Sequence, residues 1–191
     1  REKNFVRGYG YEVYTSRQNW TRGLETAGFG AAFKNEITRP GKWQVYMEGY
    51  GETLPYEDNR VWLDPDRPDP WGMPTLVVSM TYRDNERRMS EQMMADAVEM
   101  LEAADVEEVS GFNRATIPGS VIHEMGTARM GRDPKTSVLN GHNQVHAVPN
   151  VFVTDGSCMV SSPTQNPSLT YMALTARASA YAVERLGKGE L

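Results

Sequence analysis

Between Asn166 and Gly187 the residues themselves mark both ends of a helix. Asn166 can serve as the N-cap, Pro167 suits the first helical position because its missing N–H is not needed there, and Gly187 suits the stop. Leu169, Met172, Ala173, Ala176, Ala180, Val183 and Leu186 recur at helical spacing between those ends. With Ala173, Ala176 and Ala180 in line, this face is small enough to lie close against a sheet or a ligand. Whatever precedes the helix must therefore deliver the chain to a tight polar start. Val151-Phe152-Val153 does so as a short apolar strand of the buried kind, ending at Asp155-Gly156-Ser157 before a polar loop through Gln165.

The rest of the chain adds strands and one more helix. Asn140-Gly141 is a tight-turn signal. Trp43 to Gly51 alternates at period two, and Thr75 to Tyr82 is rich in β-branched residues, so both read as strands. From Asp84-Asn85 to about Ala104, Met89, Met93, Ala97, Met100 and Leu101 fall at helical spacing; buried methionines at such positions are ordinary core. Residues 1–40 carry weak periodicity, and Gly8-Tyr9-Gly10 and Gly28-Phe29-Gly30 read as turns, because neither completes a dinucleotide fingerprint. The fold class expected is α+β, an antiparallel sheet with packed helices.

Composition narrows the function. At 191 residues the length suits one domain or one and a half. A formal net charge of -5 gives no basic footprint, so nucleic acid is not an expected partner. The longest apolar run is a few residues, too short for a membrane segment, and the compartment, cytoplasmic or periplasmic, is left open. The single cysteine, Cys158, cannot build a disulfide framework and reads as a small buried side chain. His142 and His146 have a spacing that can suit zinc, but nothing nearby completes a site, so no metal is expected.

Chemistry concentrates at His123-Glu124-Met125-Gly126-Thr127-Ala128-Arg129-Met130-Gly131. A neutral imidazole can accept a hydroxyl proton near pH 7, and His123, at the head of a Gly-containing turn, is the best placed of the three histidines. Asn166 lies about forty residues on, at a helix start that carries about half a positive charge and favours electron-rich atoms. Plainer readings stand beside these: His123 could only cap a turn, Asn166 could only cap the helix, and Asp155 could only satisfy loop N–H groups.

The His123–Gly131 stretch, Val151–Ser157 and Asn166-Pro167-Ser168-Leu169-Thr170 together resemble the C-terminal signature of the glucose-methanol-choline (GMC) flavin oxidoreductases, and the Asn-Pro-x-Leu-Thr form resembles their pyranose-oxidase-like branch. The likeness is strong over 111–187, moderate over 59–110 and weak before that. It implies that residues 1–110 belong to a substrate-binding domain, and that 111–191 completes the active site and an FAD-binding domain. By the same resemblance His123 takes the proton from the substrate hydroxyl while hydride passes to flavin N5, and Asn166 hydrogen-bonds the same oxygen. Asp155 and Gly156 meet the FAD, while Pro167 and Ser168 face its pyrimidine edge. The substrate implied is a sugar, glycoside or polyol, with an unassigned electron acceptor. The family's N-terminal Gly-x-Gly-x-x-Gly cradle is absent from these residues. The expectation is therefore a C-terminal fragment that binds FAD poorly or not at all by itself. A different class also fits the aromatics Trp43, Tyr46, Tyr50, Trp62 and Trp71, which can stack on sugar rings: a non-catalytic module that binds carbohydrate or a partner.

Overall fold

A computed structural model describes residues 4–113, 118–119 and 122–191. Its elements are β1 (Tyr9–Arg17), α1 (Gly30–Thr38), β2 (Trp43–Gly51), β3 (Arg60–Pro68), β4 (Pro74–Ser79), α2 (Asp84–Ala103), β5 (Gln144–Val145), β6 (Val148–Phe152) and α3 (Ser168–Gly187), with 3-10 turns at Trp20–Leu24 and Gly156–Cys158. The strands pair as β1 with β2, β3 with β4, and β5 with β6, so the architecture is α+β as expected. Two compact units interleave along the chain. One holds residues 9–50 and 91–113, the other the described residues of 1–8, 51–90 and 114–191.

In the first unit β2 supplies the edge on which β1 forms. The Tyr11 hydroxyl donates to the Met93 carbonyl at 2.6 Å, and the Tyr9 hydroxyl donates to Asp96. Gly49 leaves room for the Met93 side chain, whose sulfur would stand 2.6 Å from any added Cβ. Arg22 holds the C-terminal end of α1 by donating to the carbonyls of Glu36 at 2.6 Å and Arg39 at 2.8 Å, a cation placed where the helix is electronegative. The two glycine motifs are not simple turns: Gly10 lies within β1, and Gly30 opens α1. Cross-strand pairing, absent from a local reading, makes a strand of residues 9–17.

In the second unit β3 and β4 form an antiparallel hairpin in which Trp62 faces Val77 and Leu63 faces Leu76, with a bulge between Asp64 and Pro68. Its loop is tied by Asp69, whose carboxylate accepts from the Trp71 and Met73 N–H groups at 2.9 Å each. The core of this unit sits under its C-terminal half, where Leu139, Cys158 and Ala178 are buried. Helix α3 packs there through Thr175, Ala178 and Tyr181 rather than through its apolar stripe. The Thr175 hydroxyl donates to the Thr154 carbonyl at 3.3 Å, and the Tyr181 ring stacks on His142 with centroids 4.1 Å apart. Leu169, Met172, Val183 and Leu186 are consequently exposed. Val151 is exposed too, so β6 is not the buried strand its apolar residues suggest; its pairing with β5 leaves much of it in contact with solvent.

Candidate active site

The His123 turn begins with a backbone conformation that most side chains avoid. His123 has φ of 65° and Gly126 has φ of 93°. A non-glycine residue in the left-handed region costs on the order of 1 kcal/mol, and such residues gather at functional sites. The imidazole is half-buried and has no hydrogen-bond partner among the described residues. Downstream, the turn is laid along the segment that follows β6: Ala128 N–H donates to the Ser157 carbonyl at 3.0 Å, and Met130 N–H to the Cys158 carbonyl at 2.9 Å. Two of the sequence motifs are thereby joined by main-chain hydrogen bonds.

Asp155 caps the short 3-10 turn after β6, its carboxylate accepting from the Ser157 N–H at 2.9 Å and from the Ser157 hydroxyl. The plainer role considered for it, satisfying loop N–H groups, is therefore filled. Gly156 is the point of closest approach. A Cβ built there would lie 2.7 Å from the Tyr171 hydroxyl and 3.0 Å from the Glu124 carbonyl. Only glycine lets the residue after His123, the strand end and the first turns of α3 meet at one place.

Helix α3 begins one residue later than its sequence suggests. Pro167, buried and with φ of −88° and ψ of 0°, is the capping residue, and its carbonyl accepts from the Tyr171 N–H at 3.0 Å. Asn166 precedes the cap and is exposed. Proline offers no side-chain acceptor, so the N–H groups of Ser168, Leu169 and Thr170 receive none from the capping residue. Shifts of one residue at helix ends are usual, and here Pro167 has a near-helical φ but its ψ of 0° falls short of the helical value of about −42°. The link between His123 and Asn166 runs through intermediates: the His123 turn meets Gly156, Gly156 meets Tyr171, and Tyr171 is bonded back to Pro167.

Sequence reasoning missed Tyr171 and Asn143. Burial raises the Tyr171 phenol above its ordinary pKa, with Cys158, Asp155 and Glu124 adding to the effect, so it remains a hydrogen-bond donor at neutral pH. Asn143 is fully buried at φ of 62°. Its amide donates to the Val153 carbonyl at 3.0 Å, and its side-chain oxygen accepts from Arg177 at 3.3 Å. It also bonds the Cys158 thiol, which burial pushes up in pKa and keeps protonated. This polar node lies beneath the Asp155–Ser157 turn. The one signal for it was the turn-prone Asn140-Gly141-His142-Asn143 run, since asparagine tolerates the left-handed region.

Comparisons with known proteins bear on the same residues. The family model described as GMC oxidoreductase matches residues 55–175. The chain is 32% identical to the 2-methyl-1,2-propanediol dehydrogenase of Mycolicibacterium austroafricanum, an alignment covering 96% of this chain and 34% of that protein. It is 30% identical to the gluconate 2-dehydrogenase flavoprotein of Pantoea cypripedii, over 78% of this chain and 25% of that protein. With the pyranose 2-oxidase of Tricholoma matsutake it shares 28% identity over 75% of this chain and 27% of that protein. The chain thus spans a quarter to a third of the length of these relatives. No helix among the described residues is long and apolar enough to cross a membrane.

Proposed function

The chain belongs to the GMC oxidoreductase family, and from that membership we propose that it supplies the proton-accepting side of an FAD-dependent oxidoreductase acting on a CH–OH group of a sugar, glycoside or polyol. The observation that carries the reading is the meeting of the His123 turn, Gly156 and the first turns of α3 at one point. FAD would supply the acceptor for the hydride that leaves the substrate carbon. The residues present suit it in one respect: the start of α3, whose capping residue Pro167 offers no side-chain acceptor, favours the electron-rich pyrimidine edge.

In this reading His123 holds the proton leaving the substrate hydroxyl, at an imidazole nitrogen that no other side chain occupies among the described residues. Asn166 orients the same substrate oxygen. Asp155 holds its loop in shape, so that the backbone at Gly156 can approach the cofactor. Pro167 and Ser168 form the wall against the flavin. The electron acceptor that follows is unassigned.

Absorption spectroscopy of the full-length protein tests this. The flavin band should bleach anaerobically on adding a suitable sugar or polyol. His123→Ala should leave the flavin bound and slow bleaching by about 100-fold or more, the range of general-base catalysis. Bleaching at the wild-type rate in that variant removes the role given to His123, and a full-length protein without flavin removes the reading altogether.

A further inference from the structure

We propose that a surface depression in the second unit binds a small carboxylate with a short apolar stem. The depression is lined by Met130, Arg132, Asn140, His146 and Val160, together with the backbone of two glycines, and holds about 430 Å³, within the range of small-ligand sites. This proposal rests on these residues alone and not on the flavin reading.

Its electrostatics favour an anion. Arg132 makes no hydrogen bond or ion pair among the described residues, and neither do the side chains of Arg129 and Lys135 on the same stretch. That is a concentration of cations without ion-pair partners in a chain whose formal net charge is -5. One acid lies between them, Asp133, whose carboxylate accepts from the Lys135 N–H at 2.9 Å and offsets one of the three cations, leaving the stretch net positive. A positive field at the depression therefore survives.

The polar groups are held in fixed orientations. The Ser137 hydroxyl donates its one proton to the Asp133 carbonyl at 2.7 Å, so its contact with His146 Nε2 at 3.1 Å must run from the ring N–H to the hydroxyl oxygen. This puts a proton on Nε2 and fixes the ring orientation of His146 as one wall. The Asn140 side-chain oxygen accepts from the His142 and Gln144 N–H groups at 2.8 Å and 3.2 Å, and one amide proton goes to the Gln144 side chain at 2.8 Å. The second amide proton is left to donate.

The ligand class follows from this set. One guanidinium presents a planar fork that matches a single carboxylate, whereas a phosphate dianion, more strongly hydrated, loses more on leaving water for a wall that is partly carbon. Met130 and Val160 give the remaining wall carbon surface, which suits a short hydrocarbon stem.

Calorimetric titration of the intact protein with butyrate tests the proposal, with 1-butanol and inorganic phosphate as comparators. Butyrate should bind saturably and 1-butanol should not. Arg132→Gln should weaken butyrate by about tenfold or more, the loss expected for a charge-assisted pair, while Arg132→Lys should fall between. Arg132 is exposed, so neither change threatens the fold. Butyrate binding should persist in His123→Ala, which separates this site from the proposed catalytic one. Absence of saturable butyrate binding, unchanged binding in Arg132→Gln, or phosphate binding as tightly as butyrate would each overturn the assignment.

Discussion

A methyl group at position 156 would stand 2.7 Å from the Tyr171 hydroxyl, closer than real Cβ atoms come, and 3.0 Å from the Glu124 carbonyl, tighter than nearly all Cβ contacts. Gly156→Ala should therefore push apart the three segments that meet there, at a cost of about 1–3 kcal/mol for overpacking. Adding Tyr171→Phe removes the hydroxyl and should recover part of the loss, whereas the Glu124 carbonyl is backbone and cannot retreat as far. Thermal melts of the single and double variants check this; an unchanged melting temperature in Gly156→Ala would mean that the segments are not in close approach. His123, Asp155 and Asn166 were legible as candidates because their residue types sit at turns and a helix start. The part played by Tyr171 was not, because its meeting with Gly156 is a tertiary contact that no local pattern encodes.

At the start of α2, Glu86 lies at the third helical position and is buried. Its carboxylate accepts from the Arg83 N–H at 2.9 Å, the Leu54 N–H at 3.1 Å and the Tyr56 hydroxyl at 3.1 Å. Accepting back from the capping residue is half of a capping box. Burial raises the pKa of this group, but hydrogen bonds from Arg83, Leu54 and Tyr56 outweigh it and leave the carboxyl below its ordinary value of 4.5. A depressed folded-state pKa means that the stabilisation is present above the unfolded value and is lost as pH falls through the folded one. Glu86→Gln should then cost about 1–3 kcal/mol at pH 7, as expected for a weakened buried charged acceptor. The difference from wild type in chemical denaturation should shrink once pH drops below about 4.5. A difference as large at pH 3 as at pH 7 would show that the ionised form is not what stabilises the helix start. The same element shows why part of the fold was readable: α2, α3, β2 and β4 carry their periodicity in their own residues. Strand β1 and helix α1 do not. They depend on β2 and on Arg22, which lie elsewhere in the chain. The stripe of Leu169, Met172, Val183 and Leu186 was legible as a face of α3 but not as an exposed one, because periodicity says which residues share a face and not what the face meets.

Over the whole molecule, burial is uneven. The β3–β4 hairpin leaves Leu63, Leu76 and Val78 exposed, whereas Leu139, Asn143 and Cys158 are fully enclosed beneath the candidate site. Cys158 is also the one cysteine in the chain, and its thiol is held protonated by burial. A thiol reagent can therefore reach it only when the packing under the Asp155–Ser157 turn opens. Labelling of the native protein should be about a thousandfold or more slower than labelling of the denatured chain, in line with the rarity of core opening. Equal rates would mean that the packing is loose. The enclosed sulfur is thus a built-in stopwatch: a single colour-forming reaction with no engineered probe times how often the floor of the site comes undone.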